Sequence, residues 1–343
     1  MSTFIIAEAG VNHDGDSEQA LRLVEVAAQS GADAVKFQTF SADKLTRKGA
    51  EKAEYQKKMT SDGDQHAMLA KLEMSNDLHH ALVKRSADLG IEFMSTAFDE
   101  EALDFLVSVG IRRIKVPSGE ITNLPFLAHM ASKNLPMIVS TGMADMEEVR
   151  QAVETIRTER ARLGFAAPLE EIVTILHCTS NYPAAASDVN LRAMLSMADE
   201  IGMPIGYSDH TLGIAVSTAA VAMGATVIEK HFTLDKTLPG PDHAASLEPD
   251  ELKALVQAIR DVEKAKGDGI KAPTASELPV RALVRRSVTT VRDIAAGASI
   301  GPDDIALLRP GTGIPPAELK DVLGKRARNG IPAGQTVQWT DLQ

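Results

Sequence analysis

Eight short apolar runs, each followed by a segment with helical spacing, recur along roughly the first 265 residues. They cover residues 4–7, 34–37, 92–95, 113–116, 137–140, 172–177, 204–207 and 227–232. Because parallel strands need a crossover connection, usually a helix, eight such units predict a (β/α)8 (TIM) barrel, an α/β fold. A doubly wound open sheet is the main alternative. No Gly-x-Gly-x-x-Gly follows the first run, and the count of eight favours closure.

The end of the chain has a different pattern. Residues 267–279 contain two glycines and two prolines and predict a linker, so the barrel should span residues 1–266. Residues 280–343 hold short β-rich runs and a weak repeat, in which Ile294 to Gly297 recurs as Ile331 to Gly334. We therefore expect a small β-rich domain of paired strand-turn units after the barrel.

Net charge excludes one class of partner. The formal charge is −11, which argues against nucleic acid. Residues 280–343 carry nine basic against six acidic side chains, a net of +3, which leaves −14 on residues 1–279. These opposite signs favour docking of the tail onto a barrel, its own or a neighbour's, although solvated charged faces explain them equally well.

Two further features concern the environment of the chain. No apolar run is long enough for a signal peptide or a membrane span. The one cysteine, Cys178, rules out an intramolecular disulfide framework. We expect a cytoplasmic protein with no membrane partner.

Polar side chains follow the predicted strands, and in a barrel the residues after every strand meet at one mouth. The candidate rim consists of Glu8, Lys36, Gln38, Thr96, Lys115, Ser118, Glu120, Ser140, Ser180, Tyr182, Ser208, His210, Lys230, His231 and Asp242. This set predicts a polar site at the mouth.

Two histidines stand at matched positions in this set. His210 and His231 follow neighbouring strands joined by one alanine-rich segment, so their imidazoles should project from one rim and hold one divalent cation. Two histidines without nearby cysteines are typical of an open catalytic metal site. The alternative is that each is a hydrogen-bonded loop residue.

Two lysines at strand ends, Lys36 and Lys115, predict a site for a small phosphorylated and carboxylated anion. The alternative for Lys36 is a structural ion pair with Glu8 or Glu120. No Gly-x-Ser-x-Gly elbow is present, which disfavours serine hydrolase chemistry.

Together these residues resemble the sialic acid synthase family, which includes N-acetylneuraminate and legionaminate synthases. The matching segments run in order along nearly the whole chain: 7–13, 36–39, 95–99, 115–120, 140–143, 177–179, 206–210, 229–233 and 240–243. In the tail, 309–311 and 330–334 resemble that family's antifreeze-like (SAF) domain.

The resemblance implies condensation of phosphoenolpyruvate with N-acetylmannosamine and water, with C–O cleavage, to give a nine-carbon 2-keto acid and phosphate. The alternative acceptor is 2,4-diacetamido-2,4,6-trideoxymannose, the substrate of an N,N'-diacetyllegionaminate synthase. A domain-swapped homodimer is also implied, in which Arg309 reaches the partner's active site.

The resemblance also implies roles for the rim residues. His210 and His231 match ligands of Mn²⁺ or Mg²⁺. For the reaction so implied, Glu120 is our candidate for the group that transfers protons or orients water. The phosphoenolpyruvate contacts match Lys36, Thr96, Lys115, Ser118, Ser140 and Ser208. The acceptor contacts match Gln38, Glu120, Tyr182 and Asp242.

Two departures bear on the acceptor. Residues 57–64 offer no equivalent of a sugar-binding asparagine found in relatives, and Asn181 stands one position later than in some of them. Two other functions stay open, namely an aldol-type barrel that joins phosphoenolpyruvate to a phosphorylated sugar, and a non-catalytic sugar-binding barrel.

Overall fold

The computed structural model describes residues 2–60 and 63–343, with the backbone alone at Tyr55, Lys58 and Met59. The chain divides into two compact units, Met1–Gly267 and Asp268–Gln343. Ser61 and Asp62, in the segment without a recognisable sugar-binding asparagine, lie outside the described residues.

The first unit contains a closed eight-stranded barrel, as the alternation of strands and helices predicted. All pairings are parallel, and β1 pairs with both β2 and β8. The strands are β1 (Phe4–Gly10), β2 (Ala34–Thr39), β3 (Glu92–Ala97), β4 (Ile114–Val116), β5 (Met137–Ser140), β6 (Val173–Cys178), β7 (Ile205–Asp209) and β8 (Val227–His231).

Helices connect these strands, and their ends follow from local chemistry. Asp16 caps the first helix by accepting from the amides of Glu18 and Gln19, and Gly31 ends it in the left-handed conformation. The helices of this unit are α1 (Ser17–Ser30), α2 (Ala42–Leu45), α3 (Glu54–Met59), α4 (Gln65–Ala70), α5 (Asn76–Leu89), α6 (Glu100–Ser108), α7 (Leu124–Ser132), α8 (Met146–Arg162), α9 (Leu169–Ile172), α10 (Ala186–Val189), α11 (Arg192–Ile201), α12 (Ala215–Ala222) and α13 (Pro249–Lys266).

The inside of the barrel has an apolar floor. Its buried members come from six strands: Ile6, Ala34, Met94, Ile138, Leu176 and Val227. Gly206 belongs to the same layer, because a β-carbon there would lie 2.4 Å from the Val227 carbonyl oxygen and 2.5 Å from a Leu176 methyl. The floor closes the barrel below the strand ends, so any ligand enters from the mouth.

The excursion after β2 contains more structure than expected. Residues 41–65 read as a polar rim loop, yet they include α2 and α3, and α4 begins at their end. Asp64 caps α4 by accepting from the amide of Ala67. Two short helices therefore lie where a rim loop was predicted, and a third begins at its end.

The second unit has its own small core, which includes Val288, Ile300 and Val337. Its elements are α14 (Glu277–Val284), β9 (Ser287–Thr290), β10 (Ile305–Leu308) and α15 (Leu319–Val322), with β9 and β10 antiparallel. The two repeat copies pair with each other, since Ile294 and Ile331 exchange backbone hydrogen bonds of 2.9 Å in both directions.

Two observations complete the fold. Helix α14 spans the position, 279/280, at which the linker was expected to end. Within the described ranges, no helix is both long and apolar enough to cross a bilayer.

Candidate active site

The site residues lie two positions beyond the floor residues. Side chains alternate along a strand, so a residue two places after a floor residue faces the same interior one layer higher. This relation places Glu8 above Ile6, Lys36 above Ala34, Thr96 above Met94, Ser140 above Ile138, Cys178 above Leu176, Ser208 above Gly206, and Glu229 above Val227. The polar layer and the rim above it line a cavity of about 520 Å³.

A buried charge network occupies the bottom of this cavity. The Lys36 ammonium lies 2.7 Å from Glu8 Oε2 and 3.6 Å from Glu229 Oε2, and it donates to Thr96 Oγ1 at 3.1 Å. Lys115 Nζ lies 3.5 Å from Glu229 Oε1. Two cations thus share one central carboxylate.

Hydroxyl groups complete the network around this carboxylate. Ser208 donates to Glu229 Oε1 at 2.9 Å, and Lys115 donates to Ser140 Oγ at 2.8 Å. Burial opposes the charged form of Glu229, but Lys115, Lys36 and Ser208 outweigh it and hold its pKa well below the usual range. Glu229 is therefore ionised.

Glu8 has the opposite tendency. Burial and the nearby Glu229 charge raise the pKa of Glu8 above its ordinary value, against the attraction of Lys36. Burial likewise lowers the pKa of Lys115 in spite of Glu229. Because Glu8 takes up a proton more readily than Glu229, it is the carboxylate whose charge can change when an anion enters.

The two histidines lie together at the rim. Their ring centroids are 5.4 Å apart, and the Tyr182 ring lies 4.1 Å from that of His210. Burial and the neighbouring His210 lower the pKa of His231 well below its usual value, and His231 Nδ1 is buried without a hydrogen-bond partner. His231 is therefore neutral, with a nitrogen free to bind a ligand.

The other histidine is oriented by a backbone carbonyl. His210 Nδ1 donates to the Thr179 oxygen at 2.7 Å, which leaves Nε2 as the ligating nitrogen. This donor set suits a divalent cation held by two imidazoles. Among the described residues no cluster of three or more His, Cys, Asp or Glu side chains is arranged to hold a metal, so the remaining positions would be open to water or substrate.

Asp242 approaches the histidines from the loop after β8. Its Oδ2 lies 3.8 Å from His231 Nδ1, and burial raises the pKa of Asp242 to about 6 against the opposing charges of His210, His243 and Lys36. The loop is held by His243, which donates from Nε2 to the Asp14 carboxylate at 3.0 Å and contacts Thr233 Oγ1 through Nδ1 at 2.6 Å. Asp242 is thereby fixed beside the histidine pair.

Most of the residues that the sequence placed at the rim line this one cavity. They are Glu8, Lys36, Gln38, Thr96, Lys115, Ser118, Ser140, Ser180, Tyr182, Ser208, His210, His231 and Asp242. Lys36 also forms the ion pair with Glu8 that was its structural alternative.

Three predicted positions lie elsewhere. Lys230 is turned away from the cavity, because Glu229 and His231 on either side of it face inward, and it forms a fully buried pair with Asp209 at 3.0 Å. Glu120 accepts from Asn123 Nδ2 at 2.7 Å and does not line the cavity. Arg309 is an exposed residue of the second unit. The roles of Glu120 and Arg309 stay predictions.

Sequence reasoning missed several lining residues. Glu229 stands two residues before His231 on the same strand, so alternation alone would have placed it in the cavity. Cys178 likewise faces inward, with Sγ 3.8 Å from His210 Nδ1. The excursion contributes Gln56, Gln65, Met68, Leu69 and Leu72, for which no sequence signal was available.

Two protein-family models match this chain. A model described as the NeuB family matches residues 23–271, and a SAF domain model matches residues 285–343. Both units of the chain are therefore matched, in the expected order.

Named relatives cover the whole chain. An N,N'-diacetyllegionaminic acid synthase of Legionella pneumophila is 56% identical over 100% of this chain and 95% of that protein. One of Campylobacter jejuni is 47% identical over 98% of this chain and 99% of that protein. The structure of an N-acetylneuraminic acid synthetase from Leptospira borgpetersenii, solved with citrate, matches with a TM-score of 0.71 and 35% identity. The match covers 82% of this chain and 90% of that chain. Two of these proteins are thus named for legionaminic acid and one for N-acetylneuraminic acid.

Proposed function

Because this chain belongs to the NeuB family of synthases, we propose that it is an N,N'-diacetyllegionaminate synthase. The reaction joins phosphoenolpyruvate to 2,4-diacetamido-2,4,6-trideoxymannose with water and releases phosphate. The main structural support for this reaction is the buried network of Lys36, Glu229 and Lys115 at the bottom of the cavity. The rim of the same cavity holds His210 and His231.

The charged and hydroxyl side chains at the bottom of the cavity define the anion subsite. Lys36 and Lys115 supply positive charge. Thr96 and Ser140, whose oxygens accept from these lysines, can donate their hydroxyl protons to an anion. Buried ammonium groups bind a phosphate or carboxylate strongly because little water competes with them. Protonation of Glu8 on binding would leave the two lysines opposed by Glu229 alone, which makes the pocket more positive.

Without a ligand, the two positive charges of Lys36 and Lys115 are balanced by the two carboxylates of Glu8 and Glu229. A ligand with a dianionic phosphate and a carboxylate therefore needs a further cation. We propose Mn²⁺ or Mg²⁺, held by His210 and His231; when bound, it supplies a Lewis acid that polarises the acceptor aldehyde. The neutral His231 ring with its unpartnered Nδ1 fits this role, as does the His210 ring, which the Thr179 carbonyl orients so that Nε2 is left for a ligand. The Asp242 carboxyl group lies 3.8 Å from His231 Nδ1, beyond hydrogen-bond distance, and so stands beside this nitrogen without occupying it.

In the proposed reaction C3 of phosphoenolpyruvate forms a bond to the aldehyde carbon. Water then adds at C2, and the C2–O bond to phosphate breaks. Lys36 and Lys115 stabilise the charge on the departing phosphate. Tyr182, whose ring packs at 33° against that of His210, and Gln38, which donates to Glu8 at 3.3 Å, hold the acceptor over this centre.

The test is phosphate release by purified protein with phosphoenolpyruvate and Mn²⁺, with and without EDTA. We expect EDTA-sensitive turnover and a preference for 2,4-diacetamido-2,4,6-trideoxymannose over N-acetylmannosamine. Bridging ¹⁸O in phosphoenolpyruvate should appear in the phosphate, which reports C–O cleavage. Preference for N-acetylmannosamine would assign sialic acid synthesis instead, and no turnover with either sugar would refute the synthase proposal.

Gly142 gives a prediction for the anion subsite. A β-carbon there would lie 2.2 Å from Ser180 Oγ and 2.8 Å from Ser118 Oγ, so Gly142→Ala must displace both hydroxyls from their present positions in the cavity. We expect KM for phosphoenolpyruvate to rise about tenfold, the cost of about one charge-assisted hydrogen bond. Steady-state kinetics and a melting curve measure this.

Gly119→Ala is the matched control for that variant. Gly119 lines the same cavity, but a β-carbon there meets nothing within 4 Å. It should keep wild-type KM. An equal loss in both variants would mean that the effect does not come from the serine hydroxyls.

We also propose that the protein is a homodimer, with the domain swap that the family resemblance implies. Helix α14 exposes Leu278, Val280, Leu283 and Val284, and a helix with such apolar faces needs a covering surface. A second copy of the chain would supply it. Light scattering after size-exclusion chromatography tests this, and a monomer at micromolar concentration would refute it.

Arg309 provides a prediction that depends on the dimer. If it enters the partner's active site, Arg309→Ala should lower kcat/KM for the acceptor about 10- to 100-fold, as expected for a lost charged hydrogen bond. The matched control is Lys320→Ala, which removes an exposed cation from the same unit. Activity equal to wild type in Arg309→Ala would remove this residue from the site.

A further inference from the structure

One part of the cavity lining is apolar. It consists of Val11, Met68, Leu69, Leu72 and Phe98, which we term the apolar wall. All but Met68 belong to a small cluster with Phe40 and Leu45 that is separate from the barrel core. The excursion after β2 is therefore packed on apolar side chains that also face the ligand space.

The wall stands above the polar layer. Val11 directly follows the end of β1 and Phe98 the end of β3, while Met68, Leu69 and Leu72 come from α4 and the turn after it. Loops that follow the strands lie at the mouth, beyond Glu8 and Thr96. An acceptor whose aldehyde carbon sits at the strand ends therefore directs its far carbons toward the wall.

The cavity that the wall lines also holds an unused amide donor, on Gln56. Gln56 Oε1 accepts from the backbone amide of Ala53 at 3.0 Å, which fixes the orientation of the carboxamide. In the described part of the chain Gln56 Nε2 donates no hydrogen bond, although the residue lines the cavity. A fixed N–H donor next to apolar side chains matches an acylamino group, whose carbonyl accepts and whose methyl is apolar.

We propose that the apolar wall and Gln56 form the subsite that selects the acceptor at its far end. The wall takes a methyl group at C6, and Gln56 donates to the carbonyl of an acylamino group at C4. This inference rests on the proposed function, since it assumes that an aldose condenses at the strand ends. A hydroxymethyl group against the wall would lose its hydrogen bonds to water without replacement, which disfavours it.

The experiment separates the two groups with four acceptors. They are N-acetylmannosamine, its 6-deoxy analogue, 2,4-diacetamido-2,4-dideoxymannose and 2,4-diacetamido-2,4,6-trideoxymannose. With full-length enzyme, kcat/KM should be about tenfold higher for each 6-deoxy acceptor than for its 6-hydroxy partner. The 4-acetamido acceptors should exceed the 4-hydroxy ones by a similar factor.

Two variants assign these preferences to residues. Leu69→Asn should abolish the preference for 6-deoxy acceptors and leave the preference for 4-acetamido acceptors. Gln56→Ala should abolish the preference for 4-acetamido acceptors and leave the preference for 6-deoxy acceptors. Leu45→Asn is the matched control, because Leu45 is a half-buried member of the same cluster that does not line the cavity. Leu69→Ala serves as a second variant if the asparagine disturbs folding, as judged by its melting curve.

The outcomes separate this inference from the proposed function. Wild-type enzyme that releases no phosphate with any acceptor would refute both. Turnover with unchanged ratios in Leu69→Asn, Leu69→Ala and Gln56→Ala would overturn the subsite alone. Equal losses with all four acceptors, or the same shift in Leu45→Asn, would also overturn it.

Discussion

Replacing His210 with alanine is expected to lower the rate of phosphate release by about 10³-fold without unfolding the barrel. The reason is that His210 and His231 supply the only pair of imidazoles at the cavity rim within the described residues, and polarisation of the aldehyde by a bound cation is worth several kcal/mol. Loss of one of two protein ligands should also weaken Mn²⁺ binding, which isothermal titration calorimetry measures independently of turnover.

The control for this variant is a histidine on the neighbouring strand. His177 lies on β6, contacts the Val189 carbonyl through Nε2 at 2.6 Å and does not line the cavity. His177→Gln should keep both the Mn²⁺ affinity and the rate. Unchanged Mn²⁺ affinity in His210→Ala would exclude His210 as a ligand, even if activity fell.

The barrel was predictable because its determinants are local and repeated. Each strand is a short apolar run bounded by polar residues. Every second residue of a strand faces the barrel interior, so the apolar floor and the polar layer above it lie on the same face. The position of a residue after a strand was therefore enough to bring Lys36, Lys115, His210 and His231 to one mouth. Their chemistry then predicted an anion and a divalent cation as ligands, which stays a prediction.

The same alternation explains the error at Lys230. Treating all polar residues near the end of β8 as rim residues ignored that neighbours on a strand point to opposite faces. Applied strictly, the rule selects Glu229 and His231 for the cavity and sends Lys230 outward. The wrong residue was chosen for its charge, and the central carboxylate was missed.

The excursion could not be predicted from sequence for another reason. Helices α2, α3 and α4 have four to six residues each, too short to be stable alone or to show an apolar period. They form where Leu69 and Leu72 pack against Val11, Phe40 and Phe98, residues distant in sequence. Only the folded barrel brings that cluster together.

The second large effect is expected at Lys230. Lys230→Met should lower the free energy of unfolding by about 3–5 kcal/mol, since it removes one partner of a fully buried ion pair. Asp209 would keep three donors, from Thr211 N and Oγ1 at 2.8 Å and from Ser217 Oγ at 2.6 Å, but its charge would be unpaired. Urea unfolding followed by circular dichroism measures the change.

A double variant and a surface control make that prediction specific. Adding Asp209→Asn to Lys230→Met removes the unpaired charge and should recover part of the lost stability, whereas Lys264→Met breaks an exposed pair with Asp261 and should leave the midpoint almost unchanged.

Lys230 also donates to the Thr211 carbonyl, next to His210, so the single variant should weaken Mn²⁺ binding as well. A Lys230→Met protein as stable as wild type would mean that the pair contributes little and that the amide and hydroxyl donors of Thr211 and Ser217 hold Asp209 without it. Lowered stability with unchanged Mn²⁺ affinity would show that the pair supports the barrel without positioning His210.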